Sequence, residues 1–504
     1  MAGIVGWQAR FVANHDALDK TYRLTASRGL FDVRDFFYAY YYLGRYPVTV
    51  GATMASATPE TPFELLWHAE RPPEFSREGT ERFLREHGSN LIMDMNWTFH
   101  SGERGRIFLF WPDTLLKGAP RDPSVRPCHV IVFIIALCAL FVAFWAVRQP
   151  VLGTAMTLLL GSNPFQLYSA YGDENVFSWP ISTAMLVLAL HLPLLRADRL
   201  PRLSLWLVPL LTGVLVATVE TIRTEPVPIM ASAALTYLFL GRPVPRRPRL
   251  VALALLICSY GAMTASWDAY FFLKFHEAKR WVAALGGRPM PEDHFPLRHR
   301  VWHSMWCGLG DFDVKYGHLF DDRLAFHVAF RILESKYHLD VPHLKPTGYF
   351  FDDAFWDEKK TYAKTGDELP HYYDVIRDDL LEQITRDPGW YAYILKRRAW
   401  RLLSEATPIQ VALDPWLRLT VPFHGLILLP LLLGLIATRN WMRVKLALFT
   451  LPLCLPALVI YSGLGMHLYA CYHMVAAAIL LALPVEALLR WHSRRRKNSS
   501  RYYE

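Results

Sequence analysis

ALHLPLLRADRLPRLSLWLV, residues 189–208, joins two apolar runs through a turn that carries three arginines. The runs, about 177–195 and 203–220, approach the roughly 20 mostly apolar residues that a membrane span needs. A basic turn between two such runs reads as one that stays in the cytosol. Working outward, seven further stretches qualify or nearly so: about 128–147, 151–168, 226–241, 249–267, 417–437, 444–462 and 468–490. Those near 151 and 226 are short and interrupted by proline or polar residues. The expected fold class is an α-helical polytopic membrane protein with about nine visible spans.

The other turns follow the same logic. GRPVPRRPR, TRNWMRVK and the terminal RWHSRRRKNSSR are basic, whereas SAYGDENVFS, TIRTEPVP and SGLGMHL carry at most one lysine or arginine each. The alternation places the basic turns and the C-terminus in the cytosol and residues 268–416 on the outer face. It also places residues 1–127 outside. The start MAGIVGWQARFVANHDALDK lacks the unbroken apolar core of a signal peptide. One expectation is a further helix upstream, making ten spans with both ends inside. The other is that the N-terminal region stays cytoplasmic and one weak span does not cross.

Composition agrees. The chain has 504 residues, 53% hydrophobic and 20% charged, with net charge +9 and a mean hydropathy of +0.15. That is too apolar for an ordinary soluble enzyme and too charged for a bare helical bundle. The basic residues cluster beside apolar runs, so membrane orientation explains them better than nucleic acid does. The six cysteines form no C-x-x-C pair, and neither a disulfide framework nor a zinc site is signalled. The expected organisation is an outer N-terminal region over 1–127, a six-span block over 128–267 and a large outer loop domain over 268–416. A three-span block over 417–490 and a basic tail over 491–504 follow. Within the hydrophilic parts, SREGTERFLREHG reads as an amphipathic helix. PEDHFPLRHRVWHSMW and the segment from DELPHYY to AWRLL read as further helices, the second ending at the membrane interface.

Four outward groups could carry chemistry. In HDALDKTYRLTASRG, Asp16 and Asp19 share a helix face and one could act as general base towards a hydroxyl. Their ordinary alternative is a solvated face near a helix start. In YGDENVFSWP, Asp173 and Glu174 could orient a polar substrate or contribute to a divalent-cation site, or simply charge a helix end. Glu220, Arg223 and Glu225 in VETIRTEPVP offer a guanidinium fork suited to phosphate, or a self-neutralised trio. Arg298, His299, Arg300 and His303 in PLRHRVWHSMWCGLGDFD form a basic cluster that could hold a lipid-linked phosphate at headgroup depth, between interfacial tryptophans. Gly308 and Gly310 would permit a close turn. The Asp311-Phe312-Asp313 spacing is tempting as a metal motif, but the intervening aromatic points to a structural turn.

The layout resembles the GT-C membrane glycosyltransferases, in the branch related to protein mannosyltransferases and lipid A aminoarabinose transferases. The matching residues are Asp19-Lys-Thr-Tyr22 with Gly29, Arg223-Thr-Glu225, the late helix HLYACYHMVAAAILLALP, and WHSMWCGLGDFDVKYG. The resemblance spans the whole chain in topology, while its motifs are short, and the first-loop carboxylates are not adjacent. It implies a GT-C-like bundle in a bacterial inner membrane. The implied reaction moves a sugar from a polyprenyl-phosphate donor to a hydroxyl of a glycan, lipid or protein acceptor on the outer face, with inversion. Asp19 or Asp16 would be the base. Arg298, Arg300 or His303 would stabilise the departing phosphate, with Arg223 and Glu225 as a second binding group. No particular cofactor is implied, although a divalent cation could replace some of the positive charge. The rivals are a transporter or flippase, for which repeat symmetry is not evident, a non-catalytic envelope scaffold, and an arginine-based glycan polymerase or ligase.

Overall fold

The structure, a computed structural model, describes residues 48–50, 77–93, 104–117, 125–163, 178–196, 202–223, 226–240, 245–287, 289, 301–338, 371–404, 406–413, 417–462 and 468–500. Elements before the first span are β1 (Val48–Val50), α1 (Arg77–Glu86), β2 (Leu91–Met93) and α2 (Trp111–Lys117). The first membrane block holds α3 (Arg126–Ala146), α4 (Pro150–Ser162), α5 (Ser178–Arg196), α6 (Arg202–Glu220), α7 (Val227–Leu235) and α8 (Arg246–Ala284). A helical layer follows with α9 (Val301–Gly308), α10 (Asp322–Tyr337), α11 (Tyr372–Arg386) and α12 (Pro388–Ser404). The chain closes with a hairpin, β3 (Ala406–Leu413) and β4 (Leu417–His424), and then α13 (Leu428–Ala437), α14 (Trp441–Thr450), α15 (Leu455–Val459) and α16 (Leu468–Ser500).

The protein is a helical, membrane-embedded, polytopic chain. Among the described residues, six helical stretches are long and apolar enough to cross: Arg126–Ala146, Trp179–Arg196, Leu203–Glu220, Arg246–Ala284, Trp441–Val459 and Tyr472–Ser493. Pro150–Ser162, Val227–Phe239 and Gly425–Ala437 are apolar but shorter. Prolines mark several starts. Pro127 and Pro150 sit in the first turns of α3 and α4, where the N–H they lack has no helical partner to lose.

The apolar stretch at 417–437 is divided. Its first eight residues are β4, paired antiparallel with β3 in a register that sets Pro408 opposite Pro422. LRLTVPFH alternates apolar and polar side chains with a period of two, the pattern of a strand. A 3-10 turn follows at Gly425–Ile427, and α-helix begins at Leu428. The segment from DELPHYY onward is likewise two helices rather than one. Asp387 precedes Pro388, and a residue before proline is driven out of the helical region; its φ and ψ are −139° and 73°. Its Oδ1 accepts from the Trp390 amide at 3.0 Å and caps α12.

The polar parts collect at one end of the bundle. Helix α8 runs unbroken for 39 residues, roughly 58 Å at 1.5 Å per residue, and so overruns its span. On the overrun, Phe271, Phe275, Ala278 and Val282 bury themselves with Leu84, Leu91, Met93 and Ile107 of the N-terminal region. Gly105 donates its N–H to Thr221 at 2.8 Å, at the end of α6. The layer α9–α12 has its own core around Trp306, Phe326, Tyr372, Ile376 and Ile394, and it docks on the end of α15. The basic turns meet at the other end. Lys445 donates to the Leu195 carbonyl at 3.0 Å, and Arg443 pairs with Glu486 at 2.5 Å.

Candidate functional site

WHSMWCGLGDFDVKYGHLFDD, residues 302–322, lies on the dock between the helical layer and the membrane helices. Gly308 ends α9 against the Ile460 carbonyl, where any Cβ would collide with backbone. Gly310 lies equally close to the backbone of Leu319 and Phe320. Both glycines therefore serve close approach. Beside them, Arg398 of α12 is fully buried. It donates to the Val459 carbonyl at 2.8 Å, to that of Leu458 at 3.2 Å and to that of Gly308. These include the open carbonyls at the end of α15, which a cation is suited to satisfy. Asp311 balances the charge, with Arg398 Nε at 3.4 Å and Arg401 Nη1 at 3.2 Å. It also accepts from the Ser462 amide at 2.9 Å and hydroxyl at 2.5 Å.

Asp313 does different work. Its carboxylate accepts from the amides of Lys315 at 2.8 Å, Tyr316 at 3.0 Å and His318 at 2.7 Å, and from the Trp390 indole at 2.8 Å. Asp311 and Asp313 therefore face separate partners, and their spacing belongs to a turn. Burial raises the Asp313 pKa, but the three amides and the indole outweigh it and hold the group below its ordinary 3.8. A depressed folded pKa contributes stability that is full above the unfolded value and is lost as pH falls through the folded one. The melting temperature should therefore drop on acidification below pH 3.8, and Asp313→Asn should flatten that dependence. The variant should also lose about 1–3 kcal/mol at neutral pH from poorly satisfied donors. Melts across the acid range of both proteins in detergent check this, and parallel curves would refute it.

His303 lies inside the layer. Its Nδ1 is 2.7 Å from the Tyr372 hydroxyl and its Nε2 is 3.1 Å from Asp322 Oδ1. Cys307, one helical turn on, brings Sγ to 3.7 Å from the same Nε2 and 3.8 Å from the same Oδ1. Next door, Trp306 donates to Asp379 at 2.7 Å. His303 is thus turned inwards, where the sequence suggested a residue facing lipid headgroups.

A second polar group collars the end of α6. Tyr260 donates to Glu220 at 2.6 Å and Trp267 to Thr218 at 3.3 Å. The buried Arg104 lies 3.9 Å from Asp268 and over the Phe271 ring at 5.4 Å. Arg223 follows half-buried, its amide bonded to the Val219 carbonyl at 2.9 Å. This collar is where the N-terminal region meets α6 and α8.

Of the candidate site residues singled out from sequence, Glu220, Arg223 and His303 are described, the first two in the collar and His303 in the helical layer, as are Gly308, Gly310, Asp311 and Asp313 at the dock. Asp16, Asp19, Asp173, Glu174, Glu225, Arg298 and Arg300 lie outside the described residues. Sequence reasoning missed Arg398, Cys307, Asp322 and Tyr372. Two of these had a local signal. Trp390, Ile394 and Arg398 recur every four residues and share the buried face of α12, and His303 and Cys307 have the same spacing on α9. No family model, curated protein or solved structure matches the chain.

Proposed function

We propose that this protein is a membrane glycosyltransferase of GT-C-like design. It takes a sugar from a polyprenyl-phosphate donor and passes it, with inversion, to an acceptor hydroxyl on the outer face of a bacterial inner membrane. In this reading the bundle has nine spans, or ten with an upstream helix, and the C-terminus is cytoplasmic. The observation that carries it is the gathering of the N-terminal layer, the end of α6 and the helical layer at one end of the bundle, away from the basic turns. An enzyme that joins a lipid-borne donor to a water-borne acceptor needs its polar groups in one such compartment.

Asp19, with Asp16 as its neighbour, takes the proton from the acceptor hydroxyl as that oxygen attacks the anomeric carbon. The bond from that carbon to the phosphate oxygen breaks on the opposite side, and its electron pair leaves with the lipid phosphate. Arg298 and Arg300 stabilise the charge that develops, a larger contribution where water is excluded. Both precede α9, which His303 anchors through Tyr372 and Asp322. Arg223 and Glu225 extend the end of α6 as a second binding group, and Asp173 and Glu174 orient the acceptor. Alanine at Asp16, Asp19, Arg223 and Arg298, each assayed by glycan and lipid analysis at normal expression, tests the reading. Loss of glycosylated product is expected, and wild-type glycosylation in all four variants would sink it.

A further inference from the structure

The geometry points to a zinc site formed by His303, Cys307 and Asp322, with water as the fourth ligand. This inference does not rest on the transferase reading and stands or falls separately.

It starts from helix spacing. His303 and Cys307 are four residues apart on α9, so both side chains leave the same face. Gly310 and the Asp313 turn then reverse the chain, and Asp321 caps α10 by accepting from the Arg323 amide at 2.9 Å. That reversal sets Asp322, the first residue of α10, opposite the His–Cys face. The three donor atoms stand 3.1, 3.7 and 3.8 Å apart. Zinc bonds of about 2.0–2.3 Å at tetrahedral angles require donor separations of roughly 3.3–3.6 Å. The observed triangle matches one face of that tetrahedron to within a few tenths of an ångström.

Hydrogen bonding alone explains the group less well. Nε2 of a neutral imidazole offers one proton or one lone pair, yet both Asp322 and Cys307 converge on it. Among the described residues, the Cys307 thiol otherwise has only long contacts, to Asp322 Oδ1 at 3.8 Å and the Asp321 carbonyl at 4.0 Å. A metal would satisfy three lone pairs at once. The other ring nitrogen fits the same picture. Tyr372 at 2.7 Å from Nδ1 can accept its proton, which selects the tautomer whose Nε2 presents a lone pair. A nitrogen, a thiolate and a carboxylate together favour zinc over magnesium or calcium, which take oxygen ligands. Cys307 and His303 are buried, while the Asp322 side chain is 39% exposed. The fourth position therefore opens on the Asp322 side, towards solvent. A Cys307 nucleophile served by His303 fits less well, because Asp322 occupies the nitrogen that the thiol would need.

The test uses full-length protein in detergent, kept reduced and purified by a histidine-free tag. Mass spectrometry should find about one zinc per chain after zinc loading and desalting. Cys307→Ser and His303→Gln should lose it, and Cys258→Ser, on α8, should keep it. Tyr372→Phe should weaken zinc affinity about 10–100-fold. Cobalt added to metal-stripped wild-type protein should give a thiolate-to-cobalt absorption band. That measurement decides the matter even where the variants do not fold. No band in the wild type, or equal zinc in the Cys307 and Cys258 variants, would overturn the assignment.

Discussion

Arg398→Ala should undock the helical layer from the membrane helices and cost about 3–5 kcal/mol, the range for breaking a buried charge pair by removing one partner. The guanidinium joins three backbone carbonyls and Asp311 across the dock. Its removal leaves the end of α15 without its donor and strands a carboxylate whose side chain is 3% exposed. Arg401, one-third exposed, can shield Asp311 only in part. Lysine at 398 should recover little, because an ammonium cannot reach carbonyls on both sides with a rigid fork. Replacing both partners, as Arg398→Met with Asp311→Leu, should recover more than either single change, since no uncompensated charge then stays buried. Thermal melts with limited proteolysis between α8 and α9 would follow the effect. A melt for Arg398→Ala within about 1 kcal/mol of wild type would show that the dock holds by other means.

The second large effect is expected in activity. Asp19→Asn should reduce sugar transfer by about 10²–10⁴-fold, the usual contribution of a positioned general base. Asparagine keeps the size and one acceptor oxygen, so donor binding should persist while proton removal fails. Asp16→Asn separates the two carboxylates. Asp19 leads the Asp-x-x-Tyr match, so the Asp16 variant should retain more activity. Turnover of a lipid-linked sugar donor by each variant, beside its donor affinity, provides the measurement. Equal loss in both affinity and turnover would make Asp19 a binding residue and leave the base elsewhere.

Membrane segments were readable because lipid imposes one simple rule, an apolar length, and because arginine-rich turns such as RADRLPR mark one side. The same rule overreached at residues 417–424, where an apolar stretch with period two forms a strand. It was also silent on the length of α8, since nothing polar after Trp267 breaks the helix. The aromatic turn at Asp311–Asp313 was legible from Phe312 and the glycines. Its partners were not. Arg398 lies 87 residues from Asp311 and Ser462 a further 64 on, and helical period assigns a face but not a distant neighbour. Cys307 looked like one of six scattered thiols until the chain reversal brought Asp322 to it. Local pattern reports the ligands on one helix, and only the fold supplies the third.

Helix α8 has a mechanical consequence. With its one proline, Pro248, in the first turn and no turn between there and Ala284, it behaves as a mast stepped in the lipid. Its last 17 residues, Asp268 to Ala284, rise about 26 Å beyond the hydrophobic part. The N-terminal segment is bolted along that length by Leu84, Leu91 and Ile107. A tilt of the mast of about 10° within its usual freedom in a bilayer swings its top by roughly 4–5 Å at that height. Bilayer thickness, by setting that tilt, thus becomes a handle on how far the segment leans over the membrane surface.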